Sequence, residues 1–282
     1  MNPRHVGLVY ANWFGVRLRS TIYWTLGLAA LVAVTAAFYP SLEDIFSSVD
    51  EDGGLSSLLG LSEGIDPSSP LGFLWANLYA NIVPWILMAL GISLGGAAIA
   101  GDEERGTLEY LLSKPVERAE VLLARFGVML TILVIAAAVS GLALLAAAPL
   151  FDLTSEMTTT GADGAMVTNP GLDVGNVAAG SFAALAVGTG TGAIAFLLGA
   201  ALGRYGLAVG IASGFAIAGY IFYTLSNTTG ELEFLTWISP WRWYVDDAMF
   251  INGLEWDVAL PFALAAACLA VGLVAFARRD LR

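Results

Sequence analysis

The sequence predicts an all-α integral membrane protein with six transmembrane helices and both termini in the cytoplasm. Three observations carry this prediction. The 282 residues are 57% hydrophobic and 13% charged, with mean hydropathy +0.75, whereas soluble domains carry roughly 25% charged residues. Apolar runs of about 20 residues, the length that crosses a bilayer, recur along the chain. The basic residues fall almost entirely in alternate connecting segments.

The N-terminal stretch VGLVYANWFGV is flanked by Arg4, His5, Arg17 and Arg19. Helical spacing puts Val6, Val9, Tyr10, Trp13 and Val16 on one side, with Asn12, Gly15 and Arg19 opposite. This predicts an amphipathic helix over residues 6–19, lying in the membrane surface. A secretory signal fits less well, because the next apolar run is long enough to span and no small-residue cleavage site follows it. Span 1 is expected over 21–38, closed by Tyr39 and Pro40. Residues 41–70 are rich in Ser, Gly, Pro and acids and lack Lys and Arg. Span 2, over 71–100, exceeds one crossing and holds Pro84, which predicts a kink or tilt.

Span 3 is expected over 121–148, followed by an acidic, Thr/Gly-rich loop to Asn176. Spans 4 (177–202) and 5 (206–225) are separated only by Gly203, Arg204 and Tyr205. The mixed segment 226–257 holds Trp237, Trp241, Trp243 and Tyr244 around Pro240 and Arg242. It can form a short helix dipping into the membrane or a plain interfacial aromatic belt. Span 6 is expected over 258–277. The connecting segments are too short and too polar to form an independent core, so residues 1–282 make one transmembrane unit.

Six crossings put both termini on one side. That side holds Arg4, Arg17, Arg19, Arg105, Lys114, Arg118, Arg125, Arg204, Arg278, Arg279 and Arg282, and the other side only Arg242. Cytoplasmic segments carry such an excess of Lys and Arg, so the basic side is assigned inside. The net charge of −12 excludes a nucleic-acid binder. The surplus of acids over a single Lys points to the plasma membrane of a halophilic prokaryote, the alternative being a chance acidic bias in the outer loops. Cys268 lies in an apolar run and reads as a packing residue. No cluster suggests a metal site. His5 is the only histidine, so no catalytic Ser–His pair can form within the membrane, and no catalytic residue is expected.

The densest mixture of charges lies between spans 2 and 3, in GDEERGTLEYLLSKPVERAEVLLARF, residues 101–126. Thr107–Ser113 can form a short helix with Leu108, Leu111 and Leu112 on one stripe. Pro115 then suits the first turn of the next helix, and Glu117 and Glu120 suit its positive end. A surface helix packing its leucines on lipid or neighbouring helices would have the same pattern.

This segment, directly after a second span, closely resembles the signature of the ABC-2 family of transporter permeases. The matching residues are Glu104, Gly106, Thr107, Glu109, Leu111, Leu112, Ser113, Pro115 and Arg118. The resemblance implies the permease subunit of an ATP-driven exporter. It would pair with a second permease, as a homodimer, and with two copies of a separate ATPase that bind ATP and Mg. The chain itself contains no phosphate-binding loop and is expected to bind no cofactor. The family's ATPase contacts map here to residues 6–19 and 101–118. Within the loop they imply an ATPase-coupling role for Glu104, Arg105, Gly106, Thr107, Leu108, Glu109, Leu111, Leu112 and Pro115. Alternative readings are a membrane subunit for cofactor or metalloenzyme maturation, or an ATP-independent carrier.

Two further sets are weaker candidates for the pathway or the dimer interface. Asn77 and Asn81 lie one turn apart on span 2, where they can bond to neighbouring helices, stay hydrated, or line a polar route. Gly206, Gly210 and Gly214 repeat at i, i+4 on span 5, as do Gly188 with Gly192 and Gly199 with Gly203 on span 4. Such stripes allow close helix approach, within one chain in the favoured reading or between subunits in the other.

Overall fold

The computed structural model describes residues 3–49, 69–113, 115–160, 166–229, 236–245 and 248–279. The acidic stretch 50–68, Lys114, residues 230–235, Asp246, Asp247 and residues 280–282 lie outside the described residues. Among the described residues, six helices are long and apolar enough to cross a membrane: Pro3–Ser41, Pro70–Ala97, Arg118–Leu150, Val174–Leu202, Tyr205–Ser226 and Trp256–Arg278. The chain is an all-α, multi-span membrane protein. Spans 2 and 4 are central, and spans 1, 5 and 6 peripheral.

Helix α1 runs unbroken from Pro3 to Val49, about 70 Å at 1.5 Å per residue. The surface helix expected over 6–19 and the span expected over 21–38 are therefore one rod. Nothing at the junction breaks a helix. The Thr21 and Thr25 hydroxyls donate to the carbonyls of Arg17 (3.0 Å) and Thr21 (2.8 Å), as polar side chains do inside a membrane helix. Most of the amphipathic stripe faces protein: Val9 and Trp13 are buried, and Tyr10 Oη donates to Thr131 Oγ1 on span 3 at 2.8 Å, whereas Val16 at its end is 72% exposed. Pro40 does not close the helix either, but sits inside it.

Span 2 consists of α2 (Pro70–Leu74), a π-helical turn (Trp75–Tyr79) and α3 (Ile82–Ala97). Ser69 caps its start, its hydroxyl accepting from the Gly72 amide at 3.1 Å. The irregularity predicted at Pro84 occurs one turn earlier, at Ala80–Asn81, where Asn81 leaves helical backbone (φ −130°, ψ −72°). A proline ring clashes with the carbonyl four residues before it, and proline is tolerated in a first turn. The break thus falls ahead of Pro84 and leaves it near the start of α3. Asn77 and Asn81 donate to the carbonyls of Phe73 and Ala76, each at 3.0 Å, within their own helix. An interhelical bond, one of the readings open for these amides, is made nearby by Tyr79, whose hydroxyl lies 3.1 Å from Ser181 Oγ on span 4.

Span 3 is α6 (Arg118–Ala147). Span 4 is α7 (Val174–Leu202), capped by Asp173, whose carboxylate accepts from the Asn176 amide at 2.8 Å. Span 5 is α8 (Tyr205–Thr229), and span 6 is α11 (Ala259–Arg278). Spans 2 and 4 meet through glycine. A Cβ built on Gly91 would lie 2.3 Å from the Gly188 carbonyl oxygen, and one on Gly95 would lie 2.1 Å from that of Gly192. Backbones this close need small residues on both helices. The stripe on span 5 behaves differently: a Cβ on Gly206, Gly210 or Gly214 meets nothing within 4 Å. The favoured reading of packing within one chain therefore holds for Gly188 and Gly192 but fails for that stripe, which faces outward.

At the acidic end of the bundle, the loop after span 3 contains an antiparallel hairpin the sequence reading did not anticipate, β1 (Met157–Thr160) with β2 (Met166–Asn169). The aromatic segment before span 6 folds into α9 (Arg242–Val245) and α10 (Met249–Asn252). It enters the bundle. Trp241 is buried and its indole N–H donates to the Ala216 carbonyl of span 5 at 3.2 Å, while Ser239 Oγ donates to that of Gly219 at 2.9 Å. Only part of the segment, including exposed Trp237, matches a plain aromatic belt.

The two glycine sets predict opposite outcomes. Gly192→Leu should force the central helices apart and destabilise the solubilised protein by about 1–3 kcal/mol or more, read as a lowered thermal unfolding midpoint. Gly210→Leu, whose Cβ meets nothing within 4 Å in this chain, should leave the midpoint of the monomeric permease unchanged.

Candidate functional site

The loop between spans 2 and 3 is built from two short helices, α4 (Ala100–Glu104) and α5 (Thr107–Leu112). Gly106 joins them at φ +68°, left-handed backbone that glycine adopts without a Cβ clash. Its amide donates to the Glu103 carbonyl at 2.9 Å. Thr107 Oγ1 donates to the Asp102 carbonyl at 3.1 Å, so the joint is tied from both sides.

Three consecutive acids then hold α4 to three different spans. Asp102 Oδ2 accepts from Arg125 Nη2 of span 3 at 2.5 Å. Glu103 Oε1 accepts from Arg279 at the end of span 6, and Arg279 Nη1 also donates to the Ala200 carbonyl of span 4 at 3.1 Å. Glu104 Oε1 accepts from the Tyr205 amide at 2.8 Å, at the start of span 5, where unpaired amides and the helix dipole favour a carboxylate. Gly203, at φ +65°, makes room for this cluster. A Cβ there would stand 2.0 Å from Arg279 Nη2 and 2.4 Å from Glu103 Oε2.

Arg125 is the centre of the arrangement. It is 3% exposed, donates to the Ala98 carbonyl where α3 ends, and lies 5.8 Å from the Trp13 ring of α1. One guanidinium thus links α1, the end of span 2, α4 and span 3. A second link runs from Arg118 Nη1 to the Phe276 and Arg279 carbonyls, at 3.0 and 2.6 Å, satisfying the end of span 6. Glu120, 1% exposed, accepts from the Glu117 amide at 3.1 Å and lies 3.4 Å from His5 Nδ1 of α1.

The structure sorts the residues singled out from sequence. Glu104 is a structural anchor. Arg105, Gly106 and Thr107 are exposed, with Arg105 Nη1 3.9 Å from Asp102 Oδ1. Leu108, expected to face a partner, is 1% exposed and belongs to the main core, and Leu111 packs half-buried against that core. Short helices on a bundle turn their apolar stripe inward because that is where apolar surface leaves water. The large side chain that α5 exposes among its described residues is Tyr110, at 72%. The side chains of Glu109 and Leu112 lie outside the description. Pro115 stands in the connection and not in a first turn, since α6 opens at Arg118 with Glu117 as its extended N-cap. Asn77, Asn81 and the span 5 glycines are not part of this site.

Sequence reading missed the roles of Asp102, Glu103, Arg279 and Arg125. Arg125, counted from sequence only among the basic residues of the inner side, lies two turns inside span 3 and is buried. The available signal was charge balance: a run of acids in the basic face of a membrane protein needs partners.

The first turns of α1 face this loop across a cavity of about 620 Å³. His5, Trp13 and Arg17 line one side and Asp102, Arg105 and Tyr110 the other. The two segments expected to share a contact, 6–19 and 101–118, are therefore neighbours.

Breaking the central pair should be costly. Removing one partner of a buried ion pair costs roughly 3–5 kcal/mol, so Arg125→Met should lower the unfolding midpoint of the solubilised protein sharply. The double variant Arg125→Met/Asp102→Leu should lose less than the two single variants added together, a coupling that a double-mutant cycle measures.

The profile of ABC-2 family transporter proteins matches residues 9–281. A comparison with curated proteins gives no match. Residues 9–281 are nearly the whole chain, and the six spans fit a permease that works with an ABC ATPase. The chain belongs to the ABC-2 family of transporter proteins, as the membrane permease subunit of an ABC transporter.

Proposed function

We propose that this permease is the membrane half of an ATP-driven exporter, and that a separate ATPase docks on its basic end through the loop between spans 2 and 3. That end faces the cytoplasm in this reading, following the distribution of Arg and Lys. The observation that carries the proposal is the anchoring of Asp102, Glu103 and Glu104 to spans 3, 6 and 5. A loop held by three spans moves them when it is pushed, whereas a loosely tethered one would absorb the push.

The partner meets the outward surface of the loop: Arg105, Gly106, Thr107 and Tyr110, with Glu109 beside them in sequence. Leu108 and Leu111 serve the fold and not the contact, because Leu108 is buried and Leu111 packs against the core. Export, a homodimeric permease pair and two ATPase copies carrying ATP and Mg follow the family pattern. The open glycine face of span 5 suits the contact between the two permeases, since no described residue of this chain lies within 4 Å of a Cβ built there.

Surface and core substitutions in the loop separate docking from folding. Tyr110→Ala should weaken co-purification of the ATPase by about tenfold or more, as truncating an exposed aromatic anchor does, and leave the unfolding midpoint unchanged. Leu108→Ala should destabilise the permease by about 2–5 kcal/mol. Undiminished ATPase recovery and ATP-driven transport with Tyr110→Ala and Thr107→Ala combined would overturn the docking surface.

A further inference from the structure

We propose that the cavity between α1 and the loop is a binding site for the phosphate headgroup of an anionic phospholipid. The inference goes beyond the docking proposal and holds whether or not an ATPase meets the same end. Its basis is an imbalance of charge. Arg17, Arg105 and Arg125 line the cavity with His5, and Asp102 is the one carboxylate among the described lining residues. Asp102 is already bound to Arg125 at 2.5 Å, while Arg105 stands 3.9 Å from its other oxygen. The nearby acids are engaged elsewhere: Glu103 with Arg279, Glu104 with the Tyr205 amide, and Glu120 with the Glu117 amide and His5.

Two observations point to a ligand. The Nε of Arg125 is buried without a hydrogen-bond partner, on a residue that is 3% exposed and lines the cavity. A buried donor of a charged group normally has an acceptor. Trp13 also has two guanidiniums over its ring, Arg17 at 5.1 Å and Arg125 at 5.8 Å. Asp102 already offsets Arg125, so the charge left for an anion beside this ring is that of Arg17.

The walls identify a lipid as the source of that anion. Leu8, Val9, Val16, Leu111 and Val116 line the cavity beside the arginines. Leu8 and Val16 are 70% and 72% exposed, and the exposed apolar surface continues along α1 through Ile22, Tyr23 and Leu26. A phosphate held by Arg17 and Arg105 would therefore have a continuous apolar track beside it for its acyl chains. A free phosphate would leave that track unused.

Native mass spectrometry of the full-length chain tests this, with the protein released from micelles containing equimolar phosphatidylglycerol and phosphatidylcholine. Preferential retention of phosphatidylglycerol is expected. Arg17→Gln and Arg105→Gln should each reduce it about fivefold, Arg17→Lys should keep most of it, and all variants should retain wild-type circular dichroism. Equal retention of the two lipids, or retention unaffected by the Gln variants, overturns the proposal. Inorganic phosphate bound as tightly as phosphatidylglycerol overturns the lipid source. An acidic decapeptide bound with the same arginine dependence, in place of the lipid, assigns the cavity to a protein segment and also overturns it.

Discussion

A buried guanidinium determines how the loop after span 2 sits on this bundle. Arg125 rises from two turns inside span 3 and reaches both the carbonyl that ends α3 and the carboxylate that begins α4. A charge in that position is held only by partners of excellent geometry, because its desolvation cost is otherwise several kcal/mol. Once Asp102 is fixed, the two acids after it fall within reach of Arg279 and of the first amide of span 5. The direction of α5, and the outward position of Tyr110, follow from the same constraint through the tied joint at Gly106.

The rest of the bundle divides by stiffness. Spans 2 and 4 press backbone on backbone through Gly91, Gly95, Gly188 and Gly192, and small-residue contacts of this kind depend on close van der Waals fit. Spans 1, 5 and 6 lie outside this pair, and polar contacts tie them at the basic end: Arg118 and Arg279 at span 6, Glu104 at span 5, and at span 1 His5 beside Glu120 and Tyr10 bonded to Thr131. Toward the other end, span 2 is interrupted by its π-helical turn and by the break at Asn81. A π-helical turn inside a helix often marks a functional position. The arrangement suits a body whose basic end receives a push as a unit and whose opposite end can change its packing.

Much of this was legible in the sequence, and the failures have physical causes. The six spans could be read because apolar length is set by bilayer thickness, and the loop stood out because charges are rare elsewhere. Gly106 was singled out only through the family resemblance, and its role as a left-handed joint came from the structure. Three features were hidden. Amphipathic spacing in residues 6–16 shows that one side is apolar, but span 3 and a lipid surface would bury that side equally well. The leucines of α5 show a stripe and not the direction it faces. The grips of Asp102, Glu103 and Glu104 join residues 23 to 176 positions apart, a distance over which local pattern carries no information. Pro84 illustrates a smaller limit, since its steric effect acts on the residue four places before it.

The central claim is that the loop and the span ends it grips move as one piece. Spin labels placed at Ser113, exposed at the end of the same loop helix, and at Arg204, in the turn between spans 4 and 5, measure this directly in the permease–ATPase complex, without nucleotide and with ATP trapped. The account predicts the same distance distribution in both states, because Glu103 and Glu104 hold the loop to both sides of that turn. A shift of several ångströms between the states, in a complex that still transports, would contradict it.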